Sequence, residues 1–383
     1  MREGWTYKKM SEVFDLQMGK TPDRKTPSYF GGNNVWVSIR DLVGKEIGES
    51  NEHITDTAVT TTNIRKVKKG TVIMSFKLTV GKCAITTKDL YTNEAIMAFN
   101  LKEGYDIYPD YLYYYLSNYN WRGANKAVMG ITLNKATISQ QKVSYPPLSE
   151  QQSIVAELDK INELISLKKA QLSDLDNLAQ SIFYDMFGDP IENEKGWELS
   201  SLKQMGELGR GISKHRPRNA PELLGGNMPL IQTGDVANAD MYIRTYNSTY
   251  SDLGIAQSKV WKSGTLCITI AATIGKCSIL DFDACFPDSV VGFTVNSNVC
   301  NNEYVYFIFS RLQSILEENA PAVAQKNINL KVLNELDIPL PPLSLQQEFA
   351  KRIELIEQQK AQISSTIKDL ETLLASRMQY WFD

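Results

Sequence analysis

Between Ser149 and Phe187 the seam positions fall alternately four and three residues apart: Ile154, Leu158, Ile161, Ile165, Lys168, Leu172, Leu175, Ala179, Ile182 and Met186. That spacing keeps one stripe of an α-helix facing a partner helix. The stripe returns 195 residues later at Phe349, Ile353, Ile356, Lys360, Ile363, Ile367, Leu370, Leu374, Arg377 and Trp381. Each segment opens on a double proline, PPLSEQQ from Pro146 and PPLSLQQ from Pro341. Ser149 and Ser344 are placed to cap the helices, each with a glutamine three residues on. About 38 helical residues make a rod of about 57 Å. Two matched seams in one chain predict that the helices pair with each other rather than each packing on its own globular part. If they run antiparallel, a pseudo-twofold axis exchanges them.

The repetition extends along the whole chain. Gly4-Trp5 falls on Gly196-Trp197, Gly31-Gly32-Asn33 on Gly225-Gly226-Asn227, Asp41 on Asp235, and Gly81-Lys82-Cys83 on Gly275-Lys276-Cys277. A period this long implies a duplicated domain plus its linker, since solenoid repeats are several times shorter. Within each copy, short apolar or alternating runs (NNVWVSI, GTVIMSF, KCAITT; MPLIQT, GTLCITI, KCSIL) separated by Gly and Asn turns predict strands. Helices are predicted at YPDYLYYYLSNY and NEYVYFIFSRLQSIL. The fold class is α+β, with a mostly antiparallel sheet in each copy and a long helix after it.

Composition is ordinary for a globular chain of 383 residues, 43% hydrophobic and 22% charged. The amino terminus has no apolar h-region and the apolar run Gly264–Leu280 is broken by Thr, Gly and Lys, so a soluble, cytoplasmic protein without membrane contact is expected. Five cysteines without a C-x-x-C pair, and only two histidines, indicate neither a metal site nor a disulfide framework; buried thiols are expected. Net charge is −3, which argues against binding nucleic acid by bulk charge. The helical segments Ser149–Phe187 and Ser344–Asp383 net −4 and −1, and the rest of the chain nets +2, so contacts to DNA would come from local patches.

No catalytic motif is present. The sequences TVGKCA and TIGKCS lack the first glycine and the hydroxyl residue of a P-loop. The double prolines sit in YPPL and LPPL, without the Asn, Asp or Ser and the aromatic residue of an amino-methyltransferase motif. No Pro-Asp pair is followed by an acid-x-Lys pair, and two histidines give little support to Ser-His or Cys-His nucleophiles. What remains is recognition. Candidates for base edges are Arg24, Lys25, Ser38, Arg40, Thr132 and Lys135 in the first copy, and His215, Arg216, Arg218, Gln232, Thr233, Lys326 and Asn327 in the second. Solvated loop polarity explains any one of them equally well. Differences concentrated in loops on a shared frame are what two readers of different sequences need. Lys20 and Lys214 are candidates for phosphate, as are Lys82 and Lys276, which are identical in both copies. Asn134 and Asn329 fit phosphate contact and turn capping alike. The aromatic group Tyr108, Tyr111, Tyr113, Tyr114, Tyr115, Tyr119 and Trp121 offers stacking surfaces, although its helical spacing favours core.

The order of globular part, PPLSEQQ helix ending in FGD, second globular part and PPLSLQQ helix resembles the specificity subunit of type I restriction-modification systems, over essentially the whole chain. The resemblance implies two target recognition domains, residues 1–145 and 189–340, each reading half of a bipartite double-stranded DNA site. It implies that the helical regions 146–188 and 341–383 form an antiparallel coiled coil that sets the unread gap. It also implies docking of two methyltransferase subunits, which carry S-adenosylmethionine and modify adenine, and of restriction subunits that use ATP and Mg; no cofactor is expected in this chain. The second helix departs from the first in having Leu345 where the first has Glu150. The alternative is a non-enzymatic coiled-coil scaffold whose two domains bind protein.

Overall fold

A computed structural model describes residues 2–121, 133–270, 275–318 and 330–383. The chain divides into two compact units, Met1–Lys169 with Ser365–Asp383, and Ala170–Ser364. In the first unit a five-stranded sheet runs in the order Phe14–Met18, Ile96–Leu101, Val72–Ser75, Cys83–Thr86, Glu46–Ile47, antiparallel except for the last pair. A smaller sheet orders His53–Ile54, Phe30–Val37 and Tyr91–Thr92. The second unit repeats this plan with Gly206–Arg210, Val290–Val295, Leu266–Thr269, Cys277–Leu280 and Tyr242–Ile243. Register is kept as well: Val72 faces Phe99 as Leu266 faces Phe293. The predicted strands and the helices Pro109–Asn118 and Asn302–Glu318 are therefore found, and the fold is α+β.

The central strands show why short runs suffice. All four residues of Val72–Ser75 are buried, and their period of two sends them to different cores. Val72 and Met74 join one core with Tyr111 and Leu158, while Ile73 joins another with Val35 and Val37. Leu266 and Ile268 are divided from Cys267 in the same way. The double glycine has a local cause. Gly31 adopts φ +82°, and a Cβ on Gly32 would sit 2.3 Å from the Ile54 carbonyl, so the strand bulges against its neighbour only if both are glycine.

Two short pairings were not legible in the sequence. Thr6–Lys9 pairs antiparallel with Lys142–Tyr145, and Leu199–Ser201 with Asp337–Pro339. Each globular part is thus closed by its own first and last strands.

The long helices run Leu148–Phe187 and Leu343–Phe382. In the first unit Glu157 accepts bonds from Arg377 and from Trp381 Nε1 (3.0 Å), and Lys169 meets Glu371 at 3.0 Å. In the second, Asp176 meets Lys360 at 2.8 Å, and the rings of Phe183 and Phe187 lie 5.7 and 5.2 Å from that of Phe349. Within each unit, numbers rise along one helix as they fall along the other, so the segments are antiparallel. Exposed ion pairs such as Lys169–Glu371 contribute about 1 kcal/mol at most. The apolar seam stabilises the pairing more, and Ile154, Leu158, Ile161, Ile165, Phe349, Ile353, Ile356 and Ile367 are all buried. Leu172, Leu175, Ile363, Leu370 and Leu374 are half-buried. Mutual pairing and packing on the helix's own globular part both occur, because Ile154, Val155 and Leu158 also complete the first core.

Three expectations need correction. At the end of the first helix the buried positions are Phe183 and Phe187 rather than Ile182 and Met186, because Phe183 stacks on Tyr304 and Phe187 meets Tyr304 and Phe349 edge-on. Ser149 and Ser344 are not caps; each helix starts one residue earlier, and the prolyl carbonyls of Pro147 and Pro342 accept the first helical bonds. The glutamine that matters is the first of each QQ pair. Gln151 is fully buried, donates Nε2 to the carbonyls of Asp106 and Pro146 (2.9 Å each) and accepts from Tyr108 N at 2.8 Å. Gln346 makes the same clasp with Val299, Pro341 and Asn301. The Glu150/Leu345 difference is also explained locally. Glu150 accepts from Trp5 Nε1 at 3.3 Å, whereas the equivalent Trp197 donates instead to the Phe187 carbonyl, leaving Leu345 to pack on the second core.

Candidate nucleic-acid interface

The loops that differ between copies hang from a shared anchor. After the strand Phe30–Val37 the chain enters a tight 3-10 turn, Ile39–Asp41. The buried Asp41 carboxylate accepts from Ser38 N and Oγ (2.7 Å each) and from Asn51 N and Nδ2 (3.0 and 2.6 Å). Burial alone would raise its pKa; these donors outweigh burial and hold it below the ordinary carboxylate range. In the second copy Asp235 accepts from Gln232 N at 2.8 Å and Asn247 Nδ2 at 2.7 Å, at the start of the helix Thr233–Asn238. Ser38 and Gln232 thus hold equivalent places at the entry to the turn, with Arg40 and Thr233 within it. In both copies the turn borders an open groove of mixed charge, lined by Arg40, Lys88, Glu46 and Glu49 among others in one and by Arg244, Asn247 and Asp240 among others in the other.

The remaining basic candidates are mostly engaged by their own loops. Arg24 forms a forked pair with Glu52 (2.5 and 2.9 Å) and lies over the rings of Phe30 and Trp36. That bond, more than any other interaction, holds Glu52 below its usual pKa. Lys20 Nζ donates to the Thr62 carbonyl at 2.5 Å, and Lys25 is exposed, its backbone N–H bonded to Asp23. In the second copy the backbone N–H groups of Lys214 and His215 converge on Gln257 Oε1 (2.6 and 3.0 Å). Arg216 donates to the carbonyls of Ser213 and His215 (2.6 and 2.8 Å), and Arg218 pairs with Asp288.

The shared GKC turns close a hairpin. Gly81 N donates to Ser75 O (2.9 Å) and Ser75 N to Lys82 O (2.8 Å); Gly275, Thr269 and Lys276 make the same pair of bonds at 2.9 Å each. The backbone is fixed and the side chain of Lys82 is exposed, that of Lys276 half-exposed. Asn134 caps the helix Lys135–Gln140, accepting from Thr137 N at 2.8 Å, so of its two readings the cap is realised. Lys135 is exposed at the first residue of that helix. Thr132, Lys326, Asn327 and Asn329 lie outside the described residues.

The aromatic group is core. Tyr111, Tyr114, Tyr115 and Trp121 are buried, and the other three pack against them. Burial drives the Tyr111 and Tyr114 hydroxyls far above their ordinary pKa. All five cysteines are buried free thiols, and burial raises those of Cys83, Cys277 and Cys300 to about 12. Among the described residues no group of three or more His, Cys, Asp or Glu is arranged to hold a metal, and no helix is long and apolar enough to cross a membrane. Sequence reasoning matched Asp41 to Asp235 without seeing their task. The available signal was an asparagine 10 residues after one and 12 after the other.

The type I restriction enzyme MjaIX specificity subunit of Methanocaldococcus jannaschii is 24% identical over 382 residues, covering 90% of this chain and 85% of that protein. A chain from a solved structure of type I R-M system assembly and conformational transition shares the fold at a TM-score of 0.67, with 17% identity over 100% of this chain and 98% of that one. The type I restriction-modification S subunit from M. genitalium does so at 0.57, with 14% identity over 99% and 96%. The family model of the type I restriction modification DNA specificity domain matches residues 2–177 and again 194–372. With two copies covering nearly its whole length, the chain belongs to the type I restriction modification DNA specificity domain family.

Proposed function

We propose that this chain is the DNA-reading subunit of a type I restriction-modification complex. Residues 1–145 read one half-site and residues 189–340 the other, and the helical regions 146–188 and 341–383 set the unread gap and dock two methyltransferase subunits. The observation that supports this most is the pairing of a common frame with unlike loops: five-stranded sheets of the same plan and matching register, and an Asp anchor at the same place, carry Ser38 and Arg40 in one copy and Gln232 and Thr233 in the other. The chain itself is non-catalytic in this reading. S-adenosylmethionine, ATP and Mg belong to the methyltransferase and restriction subunits, and the complex works in the cytoplasm. The purified chain alone should leave DNA unmethylated, and mixing it with its methyltransferase should direct adenine methylation to one bipartite sequence. Robust methylation by the chain alone overturns the reading.

Phosphate contacts position a protein without reading sequence, and a task common to both copies calls for common residues. Lys82 and Lys276 meet that description. Lys82→Ala or Lys276→Ala in the complex should weaken binding alike for all sequences and reduce the slope of log affinity against log salt by about one. A change in base preference with the slope intact would assign these lysines to base reading instead.

A further inference from the structure

Arg40 differs from the other described arginines. Each of the others makes a hydrogen bond, an ion pair or a ring contact. Arg40 is exposed and makes none of these with any described residue; among the described residues its interaction is a longer-range electrostatic one with Glu52, whose oxygens are occupied by Arg24. Its backbone, however, is held in place, because it lies in the 3-10 turn that Asp41 ties to Ser38 on one side and to Asn51 on the other. A free guanidinium on a rigid turn at the rim of an open groove is the arrangement that base reading requires. Arg24 would first have to leave its forked pair with Glu52, and Arg216 its two carbonyls.

We propose that Arg40 reads a guanine in the half-site taken by residues 1–145, and that Asp41 is the positioning residue that holds it there. This rests on the reading under Proposed function. Two parallel N–H donors of a guanidinium match O6 and N7 of guanine in the major groove, a fit that a lysine ammonium does not reproduce. The internal repeat supports the division of labour. The anchor is identical, Asp41 and Asp235, while the residue before it is Arg40 in one copy and Gly234, with no side chain, in the other. A residue that distinguishes two half-sites has to differ in this way, and the residue that holds the turn does not.

The test uses the full chain with its methyltransferase on a DNA library randomised over both half-sites. The unsubstituted complex should require a G·C pair at one position of the half-site read by residues 1–145. Arg40→Ala, an exposed change that leaves the fold untouched, should lower discrimination at that position by about 5- to 150-fold and leave the other half-site unchanged. Arg40→Lys should restore binding strength but not the full discrimination. Asp41→Asn should relax the same position, because an amide NH₂ replaces an oxygen that accepts from Ser38 or Asn51; Asp235→Asn should act only on the other half-site. Equal weakening for all sequences by Arg40→Ala, unaltered preference, or an Asp41→Asn effect on both half-sites overturns the inference. An unsubstituted complex that methylates no bipartite sequence overturns the function it rests on.

Discussion

Four residues inserted after Leu178 should lengthen the unread gap by one base pair, with two as the minor outcome, and should leave both half-site sequences as they were. The insertion adds about 6 Å of rise and about 40° of net rotation to the helix. B-DNA advances about 3.4 Å and about 34° per base pair. Rotation therefore asks for about one extra pair and rise for nearly two. A small bend or tilt must reconcile them, and the rotational demand should dominate because a reader out of phase faces the wrong groove. The site suits the change. Leu178 is exposed, so the new turn starts on the solvent side of the seam, before the buried Ala179. Seven inserted residues keep the seam nearly in phase while lengthening the helix by about 10.5 Å, or about three base pairs, over which DNA turns by about 100°. That variant should be largely inactive. Methylation of a library varying only in gap length measures both, and an unchanged gap preference in the four-residue variant would mean that these helices do not set the spacing.

Exchanging residues 1–145 for the same region of a related chain should replace one half-site completely and leave the other untouched. The larger and smaller sheets of this part are built wholly from residues 14–101, and the closing pair Thr6–Lys9 with Lys142–Tyr145 lies inside the exchanged segment. The junction at Pro146 is nevertheless not free of constraint. Trp5 donates to Glu150, and Lys45 and Tyr114 both reach Asp159 (2.7 and 2.5 Å). A donor that keeps these partners should transfer its half-site at full activity, and one that lacks them should lose stability while keeping its specificity. Methylome sequencing separates the results, and a change in both half-sites would refute the modular account.

The repeat, the strands and the pairing of the long helices are legible because each is written in spacing, and spacing survives in a linear string; the antiparallel sense of the pair is not in the spacing and follows only from the family resemblance. What escaped is written in chemistry at close range. The closing strands Leu199–Ser201 and Asp337–Pro339 are too short and too polar to show a period. The shift of the seam to Phe183 and Phe187 depends on rings contributed from Tyr304 and Phe349, far along the chain. The PPLS motif drew attention to serines as caps, when the residue with every hydrogen-bonding group of its amide in use was the buried glutamine two positions later. The basic loop residues were legible as a set and not as individuals. Arg24, Arg40 and Arg216 look alike in sequence, and only the placement of Glu52 and of the loop carbonyls separates an occupied guanidinium from a free one.

The closing strands carry one more implication. Thr6 lies opposite Tyr145, and Leu199 opposite Pro339, so each globular part is entered and left through a single doorway. A segment that begins and ends at one doorway can be lengthened, shortened or replaced outright without moving the chain on either side of it. In inheritance this makes the recognition part a cassette. Two crossovers, one in the codons of each flanking strand, would give a lineage a new half-site wherever the incoming segment keeps partners for Asp159 on the retained helix.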